Sequence, residues 1–254
     1  MSQRLVALSL VTGDHSAQWA RRRSAKERGH GRRRRGTPAP FSRAEGWASL
    51  LRVEADAALR DDARVAFARD GYALFPALIE PPLTAFLWSY VHTLLGSRRM
   101  KLGDPLTPTT PSVYGDPAFD GLLEYLRPRI EAATALRLAP TYSHVRLYKR
   151  GDGFQKHRDR AACEISVSLN LGQAPDEPWP LMLQGAAGPV AARLQPGDGL
   201  LYRGPQIAHW REPYQGAKLG QAFLHYVDRD GPHAHLKFDG RTSLMTPKAP
   251  EAGS

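Results

Sequence analysis

A change in the hydrophobic period near residue 141 constrains the fold more than any other feature of the sequence. Over residues 142–148 the side chains alternate, and a period of two is typical of a β-strand whose faces differ in chemistry. One predicted face carries Tyr142, His144, Arg146 and Tyr148, and the other carries Ser143, Val145 and Leu147. A strand with so polar a face is expected to form the wall of a pocket.

More short segments of this kind follow, and turn residues separate them. Residues 163–170 alternate in the same way, and further strands are predicted near 181–184, 190–194 and 200–202, around His209, and over 218–227. The turn residues include Pro-Gly-Asp-Gly at 196–199. Many short strands at close spacing predict a mainly β protein, a sandwich or barrel rather than a parallel α/β sheet.

His157 and Asp159 are candidate metal ligands. They are two residues apart, so on an extended strand both side chains project to the same side. His209 is the best third ligand, because it follows the turn at 196–199 and a strand cannot place three ligands around one metal by itself. Two histidines and one carboxylate on one face of Fe(II) leave three positions open, as an O2-using enzyme needs, although the ligand types also allow zinc hydrolysis. A His-x-Asp pattern alone also occurs as a surface pair or a structural histidine.

From about Val65 to about Asp228 the chain resembles the 2-oxoglutarate- and Fe(II)-dependent dioxygenases, particularly their prolyl-4-hydroxylase-like branch. The matching pieces are residues 67–72, 148–154, 157–159 and 196–198, then His209 followed by Lys218. Each piece is short, but their order and spacing are specific. The resemblance implies a double-stranded β-helix (jelly-roll) core, with His157, Asp159 and His209 as catalytic metal ligands. It also implies Fe(II), 2-oxoglutarate and O2, with ascorbate as a further candidate cofactor.

The implied reaction is C–H hydroxylation coupled to oxidative decarboxylation of 2-oxoglutarate to succinate. The far carboxylate of this cosubstrate needs a buried cation, and similar enzymes supply a Lys or Arg nine or ten residues after the distal histidine, where Lys218 stands here. Arg211 and Arg146 are rivals for this position, although either could instead be a surface or ion-pair residue. Tyr148 is a candidate for contact with the cosubstrate or a half-buried aromatic, and Asn170 and Ser168 are weaker candidates.

The region before the core divides by charge and composition. Residues 1–45 contain 11 Lys/Arg and 3 Asp/Glu, a balance of +8, whereas the remaining 24 and 22 leave only +2 of the net charge of +10. This first segment is predicted to be a disordered basic tail. Residues 46–140 are predicted to be a helical support region, with helices from about residue 42 and over 62–69, 83–95 and 117–136, a strand at 72–75 and a long loop at 96–116. Pro128 is predicted to mark a break or a new first turn within the last of these helices. Residues 141–230 form the predicted catalytic core, and 231–254 a C-terminal tail.

Partners and location follow from what the sequence lacks. Cys163 is the one cysteine, so no intrachain disulfide can form, and a cytoplasmic location is expected. No apolar run approaches a membrane span, so no membrane association is expected. The expected substrate is a small molecule or a peptide. The basic tail also allows nucleic acid, but this is less favoured because no arginine lies between Arg211 and Arg229, where the nucleic-acid-demethylating branch carries a paired-arginine motif.

The sequence also predicts the environment of three further histidines and allows one alternative function. His225 is predicted to be a strand packing residue, whereas His233 and His235 follow the last core strand and are predicted to be solvated. The alternative to an oxygenase is a cupin-like module that binds metal or ligand without redox turnover. Such a module predicts neither affinity for 2-oxoglutarate nor a need for Lys218.

Overall fold

Two antiparallel β-sheets pack face to face at the centre of the computed structural model, which describes residues 61–104, 106–174, 179–244 and 246. The larger sheet has the strand order β1-β9-β6-β11-β4-β3-β2, and the smaller has the order β5-β10-β7-β8. The larger sheet contains β1 (Tyr72–Phe75), β2 (Lys101–Leu102), β3 (Pro111–Tyr114), β4 (Leu138–Lys149), β6 (Ile165–Ala174), β9 (Gly199–Tyr202) and β11 (Lys218–Asp228). The smaller contains β5 (Phe154–His157), β7 (Leu181–Gly185), β8 (Gly188–Ala192) and β10 (His209–Arg211).

From β4 onwards the chain winds between the two sheets. Strands β4, β6, β9 and β11 belong to the larger sheet, while β5, β7, β8 and β10, which come between them in the chain, belong to the smaller. All pairings are antiparallel. This winding is the double-stranded β-helix, and the predicted mainly β architecture is confirmed.

Helices cover the outer face of the larger sheet. Residues 61–70 are helical (α1), followed by α2 (Pro81–Gly96) and α3 (Pro117–Thr134). Leu87 of α2 and Leu123 of α3 pack in one apolar cluster with Val145 of β4 and Leu224 of β11. Because side chains alternate along a strand, this packing leaves the neighbouring residues of β4 and β11 on the inner face, between the sheets. The predicted bracing of one sheet by helices is confirmed.

The break or new first turn predicted at Pro128 is wrong, because α3 continues through this residue. Proline removes one helical hydrogen bond, the one that would end on the carbonyl of Glu124. Both Pro128 and Glu124 are exposed, so water can bind that carbonyl. The apolar residues on the opposite face, including Leu126 and Ile130, hold the helix against the sheet.

Two segments predicted to lack regular structure contain short elements. Residues 96–116 include β2 and β3, and β3 pairs with β4 through Ser112 opposite Arg146. After the core, Ala234–Gly240 form a 3-10 helix that is interrupted by a kink at residues 237–239, and Asp239 within the kink is buried. Asp239 accepts hydrogen bonds from Arg160 Nη1 at 2.6 Å and from Tyr114 Oη at 2.6 Å, so this segment is tied to the core.

The predicted basic tail at 1–45 and the helix predicted from residue 42 lie outside the described residues. Within them, none of the helices is both long enough and apolar enough to cross a bilayer.

Candidate metal and anion site

Strand pairing brings the two candidate histidines together. His157 is the last residue of β5 and His209 is the first of β10, and the two are paired directly across the smaller sheet. Their ring centroids are 4.4 Å apart. Asp159 lies beyond the end of β5, so the expectation that it shares a strand with His157 is wrong, but the loop returns its carboxylate to the same place.

The donor atoms of these three residues fit one metal ion. Asp159 Oδ1 is 3.8 Å from His157 Nε2 and 3.6 Å from His209 Nε2. Ligands about 2.1 Å from a metal are separated from one another by roughly 3 to 3.5 Å, so a small inward movement would complete the site. Two imidazoles and one carboxylate suit a divalent transition metal and leave coordination positions open.

Backbone carbonyls set the tautomer of both histidines. His157 Nδ1 lies 2.9 Å from Gln155 O, and His209 Nδ1 lies 3.0 Å from Ile207 O. Because a carbonyl can only accept, each Nδ1 carries the proton and each Nε2 presents its lone pair towards Asp159. Burial lowers the pKa of His209, against the opposing attraction of Asp159, and so favours the neutral form that binds metal.

The second oxygen of Asp159 is held from behind. Ser166 Oγ donates to Asp159 Oδ2 at 3.2 Å, and Ser166 Oγ is 2.9 Å from His225 Nδ1. The backbone N–H of Asp159 donates to Gly204 O at 3.1 Å. A Cβ on Gly204 would lie 2.6 Å from Asp159 Oδ2, so only glycine fits there. These contacts orient the carboxylate so that Oδ1 faces the histidines.

Arg211 places a positive charge deeper between the sheets. It is two residues beyond His209 on β10, about 7 Å along the strand, and is 3 % exposed. Arg211 Nη1 donates to Trp179 O at 2.6 Å, and Nη2 donates to Gln221 Oε1 at 2.7 Å. Gln221 in turn donates to Ser168 Oγ at 2.9 Å.

Arg211 has no acidic partner among the described residues. The ion pairs found there do not include it, and the titratable side chains that interact with it are the phenols of Tyr148, Tyr202 and Tyr214. Burial lowers the pKa of Arg211 to about 10, which leaves the guanidinium charged at neutral pH. A buried charge without a counter-ion is costly, so this arrangement favours an anionic ligand.

The other candidates for binding the cosubstrate lie in different environments. Lys218 is exposed at the start of β11 and is three residues from the inward-facing Gln221, so alternation places it on the opposite, helix-covered face. The proposal that Lys218 supplies the buried cation therefore disagrees with the structure. Arg146 is buried on the inner face but forms an ion pair with Asp104, so its charge is already balanced.

Tyr148 and Asn170 are both buried on the inner side. The Tyr148 hydroxyl is 3.4 Å from Arg146 Nη1, and its ring packs edge-on against Trp179 with centroids 5.0 Å apart. The Asn170 side chain donates to Leu194 O at 2.8 Å and accepts from the backbone N–H of Gly172 at 2.9 Å, so it mainly holds neighbouring backbone. Tyr148 thus lines the space beside Arg211, whereas Asn170 supports the sheet.

His225, His233 and His235 lie in the environments that the sequence predicted, one buried and two at the surface. His225 is buried on the inner face, and its ring packs 4.5 Å from that of Tyr142. His235 is exposed and His233 is partly exposed.

Several contributors to the site were not singled out from the sequence. Gln221, Ser166 and Gly204 act on Arg211 or Asp159 through contacts across the fold. The alternating pattern of residues 218–227 could have placed Gln221 on the inner face with Phe223 and His225. No local pattern marks the contact between Gly204 and Asp159, which are 45 residues apart (204 − 159) in the sequence.

Solved structures with the same fold include an epimerase and two prolyl hydroxylases. The structure has a TM-score of 0.59 with the epimerase SnoN in complex with Fe3+, alpha ketoglutarate and nogalamycin RO, at 16% identity over 78% of this chain and 92% of that one. A prolyl hydroxylase from Trichoplax adhaerens, in complex with a hypoxia inducible factor peptide fragment, gives 0.58 at 14% identity over 70% and 93%. A prolyl-4-hydroxylase from Pseudomonas putida gives 0.54 at 17% identity over 68% and 100%.

These similarities show the fold, and the jelly-roll core expected from the sequence motifs is confirmed. No protein-family model matches the sequence. No curated protein matches it in sequence either.

Proposed function

We propose that this protein is a 2-oxoglutarate- and Fe(II)-dependent oxygenase that hydroxylates a C–H bond of a small-molecule or peptidyl substrate. The reaction would convert the substrate R–H, 2-oxoglutarate and O2 into R–OH, succinate and CO2. One observation carries the proposal: Arg211, a cation without an acidic partner among the described residues, lies two residues beyond the candidate metal ligand His209 on the inner face of the barrel. That spacing suits a ligand that binds metal at one end and presents a carboxylate at the other.

His157, Asp159 and His209 would hold the iron through two Nε2 atoms and Asp159 Oδ1. Iron bound there supplies O2 activation coupled to loss of CO2 from 2-oxoglutarate. The backbone carbonyls of Gln155 and Ile207 keep both imidazoles in the metal-binding tautomer throughout.

Arg211 would bind the far carboxylate of 2-oxoglutarate. Gln221 and the carbonyl of Trp179 fix the guanidinium by occupying Nη2 and Nη1, so the charge is oriented before the ligand arrives. The buried rings of Phe154, Tyr148 and Trp179 belong to the apolar cluster around this space and exclude water from it. A dry pocket strengthens the pairing of guanidinium with carboxylate.

A cupin-like module without redox turnover would need the three metal ligands but no unpaired cation beside them. The charge of Arg211, which no described carboxylate balances, favours the oxygenase over this alternative.

The test is formation of succinate from 2-oxoglutarate by the purified protein with Fe(II) in air. We expect slow succinate formation without added substrate, and its loss in His157→Ala and Asp159→Ala. His235→Ala removes an exposed histidine and should leave the rate unchanged. If the wild type neither forms succinate nor binds 2-oxoglutarate, the oxygenase is rejected and the cupin-like module is left.

A further inference from the structure

A cavity of about 970 Å³ lies at the edge of the larger sheet. It is bounded by β2 and β3, by the first turns of α3 and by residues that follow the 3-10 helix. None of the three candidate metal ligands lines it. Its volume is at the upper end of the range for pockets that bind small organic molecules.

His144 connects this cavity to the inside of the barrel. It lies on β4 opposite Phe223 of β11 and Tyr114 of β3, on the same inner face as His225. Burial lowers the pKa of His144 to about 3, so the imidazole is neutral at physiological pH. No hydrogen bond joins it to another described residue, so its ring nitrogens can serve a ligand in the cavity.

Each acidic residue of the cavity wall that the structure describes is paired with a cation. Asp104 pairs with Arg146, Asp120 with Arg241 at 3.3 Å, and Glu124 with Arg127 at 3.0 Å. None of these carboxylates therefore contributes an uncompensated negative charge.

Two cations of the cavity wall have no such partner. Arg99 and Lys101 both line the cavity, are exposed, and form no ion pair within the part of the chain that the structure describes. The uncompensated charge that the described residues bring to the cavity is thus positive. Much of the remaining wall is apolar, formed by residues such as Val113, Pro117 and Leu244.

We propose that this cavity binds an organic acid with an apolar body, whose anionic group lies at Arg99 and Lys101 and whose body points to His144. The inference that this acid is the substrate of the iron centre rests on the oxygenase proposed above. The binding of such an acid does not depend on that proposal, because it can be measured on metal-free protein without 2-oxoglutarate.

The test uses two probes of equal shape and opposite charge, 4-phenylbutyrate and 4-phenylbutylamine. Each competes with the fluorescent anion 1-anilinonaphthalene-8-sulfonate for metal-free full-length protein. We expect the acid to bind at least tenfold more tightly than the amine. The double variant Arg99→Gln/Lys101→Gln should lose about tenfold in affinity for the acid, as expected for two exposed ion pairs.

A matched control separates local charge from net charge. Arg98→Gln/Arg193→Gln removes two exposed cations that do not line the cavity, and affinity for the acid should change less than twofold. Arg211→Gln should also leave it unchanged, because Arg211 belongs to the other anion site. Loss of acid binding in Arg211→Gln would place the probe there and overturn the proposal.

A blocking variant tests the location independently of charge. Gly121 lies in α3 at the cavity wall, and a Cβ there would meet nothing within 4 Å. Gly121→Leu should fill part of the cavity and weaken both probes at least fivefold, while Gly121→Ala should change them less than twofold.

Equal affinity for acid and amine, equal losses in the two double variants, or unchanged binding in Gly121→Leu would each overturn the proposal. The outcome is separable from that of the succinate assay. An inactive protein that binds the acid in this cavity would reject only the oxygenase, and an active protein that fails here would reject only this inference.

Discussion

Arg211 and Lys218 are the two cations that follow His209 along the sequence before Arg229, and they lie in opposite environments. Arg211 is buried between the sheets and has no acidic partner in the described part of the chain, whereas Lys218 is exposed on the other face. A charge in water is screened, while a charge in a dry site pairs strongly with an anion. At the scale of the residue, burial rather than spacing from the histidine decides which cation can bind a carboxylate.

Replacing Arg211 should therefore weaken 2-oxoglutarate binding. We expect Arg211→Gln to raise the dissociation constant at least about 30-fold, equivalent to roughly 2 kcal/mol, because a buried carboxylate loses its charge partner. Lys218→Gln should leave the constant within twofold. Titration of each variant with 2-oxoglutarate, with Mn(II) in place of iron, measures both dissociation constants. A larger effect of Lys218→Gln would assign the carboxylate-binding role to Lys218, as the sequence predicted.

Ser166 is expected to act on the metal through Asp159. Ser166→Ala removes the hydrogen bond to Asp159 Oδ2 and should weaken Co(II) binding about 10-fold to 100-fold, as is typical when a partner of a metal ligand is lost. Ser143→Ala is the matched control, because this buried serine donates to Asp120 at 2.6 Å on the other face of the sheet. Its metal affinity should match that of the wild type. Equal affinities for both variants would show that Ser166 does not orient the carboxylate.

Helix α3 shows at the scale of the element how packing overrides local propensity. Proline in a helix interior is unfavourable, and sequence reasoning therefore predicted a break at Pro128. The buried face of the helix, with Leu122, Leu126 and Ile130, lies against the sheet and maintains one continuous helix. The hydrogen bond missing at Pro128 remains a local cost.

Removing that cost should stabilise the protein. We expect Pro128→Ala to raise the free energy of unfolding by about 1–3 kcal/mol, because it restores an N–H donor for the carbonyl of Glu124. Pro117→Ala changes the first turn of the same helix, where proline costs nothing, and should not stabilise it. Urea denaturation compares the two, and a stabilisation no larger for Pro128→Ala than for Pro117→Ala would contradict this explanation.

The strands differ in how well the sequence predicted them. Residues 142–148 alternate clearly, and β4 contains them with Val145 facing the helices and Arg146 facing inwards. Strand β5 ends two residues before Asp159, because pairing with β10 ends at His157 and His209. Periodicity therefore predicts which face a residue takes, whereas the end of a strand depends on its partner.

At the scale of the whole molecule, enclosure of His144 couples stability to pH. Burial lowers its pKa from an ordinary value of 6.5 to about 3. Between these values the unfolded chain binds a proton that the folded chain does not, so stability falls as pH decreases below about 6.5. At higher pH both states are neutral at this residue, and the effect vanishes.

We expect His144→Gln to reduce the loss of stability on acidification. Between pH 7 and pH 5 the wild type should lose roughly 2 kcal/mol more than the variant, which is the linkage expected for one proton. His235→Gln removes an exposed histidine and should retain the pH dependence of the wild type. Urea denaturation at pH 7, 6 and 5 measures how the free energy of unfolding of the three proteins depends on pH. The same dependence in the wild type and His144→Gln would show that His144 is not the source of the effect.

The sequence by itself determined the class of fold and the identity of the three candidate metal ligands. Alternating side chains and turn residues are local properties, and the order of the motifs containing His157, Asp159 and His209 can be read along the chain. Tertiary structure alone decided which cation is buried, which oxygen of Asp159 faces the histidines, and where the cavity lies. Arg211, Ser166 and Gly204 owe their effects to atoms brought together across two sheets, and burial and contact across strands have no signature in a local pattern.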